Sequence, residues 1–227
     1  VKVITSLSFL ICQKSINKSL IKLSKRHKMR KKLKSMKIEY EATFTNIDKR
    51  DIREKLKKIG GKLIRPESLQ KRIVFNLPKE YKIRGGWIRV RDEGDKITMS
   101  LKVVDGAGIE SQKEICLEID NLEKAEEFLT ILGCQKKAYQ ENKRELWKID
   151  GIEITIDEWP FLEPFIEIEG KSEESVKDMA EKLGFDYKDA LFCSIDTLYS
   201  RKYNLSEDII NNQIPKIVFG MENPFVK

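Results

Sequence analysis

The sequence predicts an α+β fold in which about eight mostly antiparallel strands outnumber three helices, and three observations carry that reading. Segment after segment alternates with period two. Most of these segments set an apolar face against an ionisable face rather than a merely polar one. Helical periodicity is confined to stretches between them, so the helices can cover only one side of the sheet. If such a sheet closes into a barrel with its apolar side under the helices, charge lines the lumen, the reverse of an ordinary small barrel.

Taken in order, Met36 to Thr45 puts Lys37, Glu39, Glu41 and Thr43 on one face and Ile38, Tyr40, Ala42 and Phe44 on the other. Asn46 or Asp48 then caps a helix that carries Ile52, Leu56 and Ile59 on one side and stops at Gly60-Gly61. Gln70 to Asn76 reads as a strand with Arg72 and Val74 alternating against Ile73 and Phe75, and Lys79 to Gly86 as a polar turn. Trp87 to Asp92 and Lys96 to Val104 form a hairpin through Gly94 and Asp95. Its polar faces hold Arg89 and Arg91 on one strand and Thr98, Ser100 and Lys102 on the other.

After a loop, Gln112 to Ile119 alternates again, with Gln112, Glu114, Cys116 and Glu118 on one face. A second helix begins at Asp120 or Asn121 and ends at Gly133. Gln135 to Ile149 is a long strand. Asp150-Gly151 turns it into IEITIDEW, and a Pro-bounded bend leads to PFIEIEG. These last two strands bring Glu153, Thr155 and Asp157 beside Phe165, Glu167 and Glu169, and like charges that close repel unless cations lie between them. A third helix runs from Ser172 to Gly184, with Ser172 and Ser175 in place of a full capping box. Another helical piece is expected within Asp189 to Tyr203, and 204–227 reads as a polar tail with apolar patches at Ile214 to Phe219 and Pro224 to Val226.

Charge and composition narrow the function classes. The net charge of +7 is misleading, because 11 of the 44 basic residues and none of the 37 acidic ones fall in residues 1–35. The remainder, 33 basic against 37 acidic, has a net charge of −4 and offers no general nucleic-acid signal. The single histidine, His27, lies in the basic stretch, which removes Ser-His-Asp and Cys-His pairs and histidine-rich zinc sites from the body. A metal held by carboxylates alone favours Mg²⁺ or Mn²⁺. Cys12, Cys116, Cys134 and Cys193 form no C-x-x-C pair and read as reduced thiols of a cytoplasmic protein, the last three as small core fillers.

Residues 1–35 are too short in their apolar part to span a bilayer. Lys-rich and acid-free, they fit a targeting segment, a nucleic-acid arm or translation from a start upstream of Met36, and the last is the preferred expectation. The expected organisation is therefore a basic extension over 1–35, a folded domain over 36–203 and a tail over 204–227.

A lumen with Arg89, Arg91, Lys102 and Arg144 on some strands and Glu39, Glu41, Glu114, Asp157, Glu167 and Glu169 on others suits a polyanion. Cations grip it while carboxylates hold metal ions that bridge its oxygens. Phosphoryl transfer needs little more, since charge neutralisation and positioning carry most of its catalysis.

As an ordered set, Glu39-x-Glu41, Arg89-x-Arg91, Lys102, Glu114, Lys143-Arg144, Asp157 and Phe165-x-Glu167-x-Glu169 resemble the CYTH family of triphosphate tunnel metalloenzymes. Class IV adenylyl cyclases, thiamine triphosphatases and inorganic triphosphatases belong to it. The resemblance spans about Met36 to Tyr203 and is nearest to the class IV cyclase-like branch. It implies a closed eight-stranded antiparallel β-barrel, a tunnel with a charged interior flanked by helices, and a metal-dependent triphosphatase or cyclase. It further implies Mg²⁺ or Mn²⁺ on Glu39, Glu41, Glu114, Asp157, Glu167 and Glu169, and phosphates on Arg89, Arg91, Lys102, Lys143 and Arg144. Glu118 competes with Glu114, and either Lys143 or Arg144 faces inward, because a one-residue slip flips the face.

The expected substrate is ATP, thiamine triphosphate or tripolyphosphate, with no nucleic acid or membrane partner and with a homodimer left open. Three departures from the family pattern stand out. Thr43 occupies the lysine position of the family's Glu-x-Glu-x-Lys opening, Gln112 stands where many relatives place arginine, and Glu163 where they place glycine. Loss of the lysine raises an alternative, a module that binds triphosphate without turning it over.

Overall fold

The computed structural model describes Leu33 and residues 35–226. The compact unit that carries the fold spans Ile38–Lys227. The expectations for 1–32, including Cys12 and His27, lie outside the described residues.

Eight strands of five residues or more build the sheet: β1 (Tyr40–Phe44), β2 (Lys62–Asn76), β3 (Gly86–Asp92), β4 (Ile97–Val104), β5 (Gln112–Ile119), β6 (Gln135–Ile149), β7 (Ile152–Glu158) and β8 (Phe165–Gly170). Hydrogen bonding orders them β5-β4-β3-β2-β6-β7-β8-β1, every neighbouring pair antiparallel. The two ends of this order meet. Just before β1, the Glu39 N–H donates to the Gln112 carbonyl of β5 at 2.9 Å. Farther along, Thr43 exchanges backbone hydrogen bonds of 2.9 and 3.0 Å with Leu191, which fills the remaining gap. The sheet is thus nearly closed into a barrel, which leaves few free edges.

The apolar faces point outward, where helices cover them. Helix α1 (Lys49–Lys58) starts at Asp48, whose carboxylate accepts the N–H groups of Arg50 and Asp51, and it buries Ile52 and Leu56. Helix α3 (Glu173–Lys182) buries Val176, Met179 and Ala180. Between them these helices sandwich Ala42, Phe44, Ile154, Ile156, Ile166 and Ile168 from the outer faces of β1, β7 and β8. Helix α2 (Leu122–Ile131), capped by Asn121, covers Ile73, Phe75 and Val90 with Ala125 and Leu129. The serine pair at α3 does form a complete capping box, because the hydroxyl of Ser175 reaches back to the Ser172 N–H as a glutamate would.

Two stretches differ from expectation. Strand β2 begins eight residues earlier than its alternation suggests, and the extra part pairs only with β6 through irregular register around Pro66. Proline removes a ladder donor, so the pattern is broken where the strand is one-sided. The segment after Asn204 forms α5 (Glu207–Gln213) and a two-residue strand β9 (Lys216–Ile217), following α4 (Ile195–Tyr203). Strand β9 runs parallel to β6 at Tyr139 and Gln140, beyond the point where the shorter β7 stops pairing. Part of each apolar patch there is buried: Ile214, Ile217 and Phe225 pack with Trp159, Phe165 and Tyr199, and Phe225 stacks on Tyr199 at 4.3 Å. Of the three described cysteines, Cys134 is buried as expected, Cys193 half-buried and Cys116 exposed, on the same face of β5 as Glu114.

Candidate functional site

Residues directly opposed in an antiparallel pair share a face, so the register shows what the lumen receives. Thr43 lies opposite Glu167 and Glu167 opposite Thr155, while Glu41 lies opposite Glu169. Across β6 and β7, Arg144 faces Asp157. On the far wall Arg72 is opposite Arg91 and Arg91 opposite Thr98, Arg89 is opposite Ser100, and Lys102 is opposite Glu114. One face of the barrel thus gathers Glu39, Glu41, Glu114, Asp157, Glu167 and Glu169 with Arg89, Arg91, Lys102 and Arg144.

Lys143 is not among them. Adjacent to Arg144 it points to the other face, where it pairs with Glu158 at 3.0 Å and lies 4.8 Å over the Phe219 ring. Alternation decides between the two neighbours, and Arg144 is the inward one. Glu118 is exposed, whereas Glu114 meets Arg89 at 3.3 Å and Lys102 at 3.9 Å.

Two ionic groupings divide the interior. In the first, Lys102 Nζ sits 2.9 Å from Glu39 Oε2. Burial pushes the Glu39 carboxyl up to about 7 against the pull of Lys102, helped by a hydrogen bond shared with Glu114. Burial works against Glu114 as well, but that hydrogen bond and the charges of Lys102 and Arg89 hold it well below the usual carboxylate range. In the second, Arg144 donates from Nε to Asp157 Oδ1 at 2.9 Å and from its other nitrogen to Glu167. Asp157 also accepts from Asn142 at 2.9 Å and from Thr155 at 2.8 Å, and is fully buried.

Glu41 stands between the groupings. Burial and then the neighbouring Glu167 raise its carboxyl well above the ordinary value, and Lys102 only partly opposes them. The hydrogen bond that it accepts from Gln112 is long at 3.4 Å. A carboxyl driven toward its neutral form by burial and then by other carboxylates marks a place that an added cation would stabilise.

The acidic side therefore suits a hard divalent cation. All its donors are carboxylate oxygens, and the buried Glu39 Oε2 makes no hydrogen bond of good geometry despite the nearby lysine. Among the described residues, no three acidic side chains already converge as a metal cluster. Arg144 and Lys102 occupy the carboxylates instead.

Several interior residues escaped the sequence reading. Glu93, one residue past the expected hairpin strand, binds Arg91 at 2.6 Å and Arg65 at 2.9 Å. Gln70, Arg72 and Asn142 are buried on the same face. Parity with the other inward positions was the available signal.

The family model for the CYTH domain matches residues 36–197. The chain belongs to the CYTH family. A protein of Methanocaldococcus jannaschii, provisionally named an adenylate cyclase, is 30% identical over 150 residues, which cover 64% of this chain and 81% of that one. Among solved structures, a Pyrococcus furiosus protein of unassigned function superposes with a TM-score of 0.60 at 23% identity, covering 70% of this chain and 99% of its own. A Vibrio parahaemolyticus protein, also provisionally named an adenylate cyclase, gives 0.64 at 15% identity, covering 73% and 99%. Such likenesses show that the barrel is the CYTH fold. In this CYTH chain the opening motif ends in Thr43, which is 2% exposed and tied to Leu191 through its backbone. No helix among the described residues is long and apolar enough to cross a membrane.

Proposed function

We propose that this CYTH protein takes the triphosphate of a small molecule into the barrel and, with Mg²⁺ or Mn²⁺, catalyses phosphoryl or nucleotidyl transfer. The observation that carries the proposal is the sorting of charge inside one barrel. Arg89, Arg91, Lys102 and Arg144 share the interior with Glu39, Glu41, Glu114, Asp157, Glu167 and Glu169. A buried surface of this kind is costly unless something charged fills it.

Arg89 and Arg91, on one strand two residues apart, bind successive phosphate oxygens through charge-assisted hydrogen bonds. Arg144 exchanges its carboxylates for phosphate and orients the chain for in-line attack. Glu39, Glu41, Glu167 and Glu169 would hold the divalent cation, with Asp157 and Glu114 supporting. The cation supplies neutralisation of the charge developing on the phosphoryl oxygens.

Two outcomes share this ground. Attack by water on the terminal phosphorus releases orthophosphate. Attack by a 3′-hydroxyl on the α-phosphorus of ATP releases pyrophosphate and closes a cyclic nucleotide. Product analysis with ATP, thiamine triphosphate and tripolyphosphate, each with Mg²⁺, Mn²⁺ or EDTA, separates them. Thr43 favours a second reading, binding without turnover. Triphosphate binding with no product from any of the three substrates supports that reading, and robust turnover removes it.

A further inference from the structure

Arg72 is the least satisfied charge in the barrel. It is 6% exposed, and among the described residues its side chain donates a hydrogen bond only to a neutral partner, Asn142 Oδ1, at 2.7 Å. Its Nε is buried without a hydrogen-bond partner, and its guanidinium lies 4.4 Å over the Trp159 ring. Among the described residues no carboxylate lies within ion-pair distance of it. The lumen's other basic side chains are all paired: Arg89 with Glu114, Arg91 with Glu93, Lys102 with Glu39, and Arg144 with Asp157 and Glu167.

Arg72 also stands directly opposite Arg91. Burial first, then Arg89, Arg91 and Arg144, disfavour its charged form, and Asp157 offsets them only in part. That carboxylate already accepts from Arg144, Asn142 and Thr155. Glu167 also feels the charge of Arg72, but it is held by Arg144 and makes no ion pair with Arg72. A cation–π contact and one neutral hydrogen bond leave most of the cost of burying this charge unmet. No carboxylate of the described residues meets this guanidinium directly, and its place fits an incoming anion.

We infer that Arg72 is a phosphate-binding residue of the tunnel, supplying from β2 the cation that Thr43 no longer supplies from β1. The two positions meet through a short relay. Arg72 binds Asn142, Asn142 binds Asp157, Arg144 joins Asp157 to Glu167, and Glu167 stands opposite Thr43. The ligand class is an oligophosphate, whose oxygens match the unfilled Nε and the fork of the guanidinium. Asn142 and the Trp159 ring hold the side chain in place before the ligand arrives.

The inference rests on the proposed function, and binding to the full chain separates the two. Affinity for tripolyphosphate in Mn²⁺ is measured by calorimetry for the wild type, Arg72→Gln, Thr43→Lys and the double variant. Arg72→Gln keeps a hydrogen-bonding group toward Asn142 but removes the charge, and is expected to weaken binding about tenfold or more. Adding Thr43→Lys to it restores most of the loss. Thr43→Lys alone, which leaves Arg72 in place and does not depend on how Arg72→Gln folds, gains no more than about threefold.

Wild-type binding that Arg72→Gln leaves unchanged overturns the inference and spares the proposed function. A gain of about tenfold or more from Thr43→Lys alone does the same, since position 43 would then be lacking its cation. A wild type that does not bind tripolyphosphate overturns both.

Discussion

Arg144 lies between Asp157 and Glu167 and is hydrogen-bonded to both, so one guanidinium joins β7 to β8 from its place on β6. It neutralises the acidic wall on this side of the barrel. Its removal strands the buried carboxylate of Asp157 and the half-buried one of Glu167, so Arg144→Ala is expected to destabilise the fold by roughly 3 kcal/mol as well as weaken triphosphate binding. Urea unfolding at neutral pH measures the first effect. A midpoint equal to the wild type contradicts the pairing.

Arg89 contributes differently, because its partner Glu114 keeps Lys102 when Arg89 is lost. Arg89→Ala is expected to raise the KM for a triphosphate substrate about tenfold or more with little change in melting temperature. Steady-state kinetics at saturating metal decide it, and an unchanged KM returns Arg89 to a purely structural role.

Glu39→Gln and Glu167→Gln should each weaken divalent-cation binding and turnover while leaving the barrel folded. Manganese titration followed by calorimetry or electron spin resonance reads this without relying on activity. Full metal affinity in both variants removes the acidic wall as the cation site.

Glu93 gives a pH test away from that wall. Burial opposes its ionisation, but Arg91 and Arg65 overcome it and hold the carboxyl at about 2 against an ordinary value of 4.5. A folded-state value below the unfolded one stabilises above the unfolded value and is lost as pH falls. Glu93 is therefore expected to contribute about 3 kcal/mol above pH 4.5, disappearing toward pH 2. Glu93→Gln should flatten this part of the stability profile, and parallel wild-type and variant curves over that range contradict the assignment.

The β2–β3 connection makes a steric prediction. Gly85 has φ of +69°, and a Cβ there would stand 1.9 Å from the Val104 carbonyl oxygen, whose own N–H donates to Gly85 O at 2.8 Å. Gly85→Ala is expected to cost roughly 2 kcal/mol or more, read as a lower unfolding midpoint.

How far the sequence foretold these features depended on local periodicity. Strands such as Trp87 to Asp92 and Ile152 to Glu158 alternate cleanly, and that alternation alone groups the inward charges from Glu39 to Glu169. Arg144 over Lys143 required the register with β7, because two adjacent basic residues carry no information about face. Arg72 was visible as an alternating residue of β2, yet its isolation from carboxylates depends on β3, β6 and Trp159 coming together. The packing of 204–227 was hidden for a similar reason. Phe225 and Ile217 look like stray apolar residues until Tyr199 and the open edge of β6 give them a surface.

The most direct test is a crystal of the full chain grown with tripolyphosphate and Mn²⁺, with anomalous data collected at the manganese edge. The account predicts a manganese peak inside the barrel against Glu39, Glu41, Glu167 or Glu169, with phosphates on Arg89, Arg91 and Arg144. Phosphate and manganese bound only on the outer surface, with the interior ion pairs intact, would contradict it.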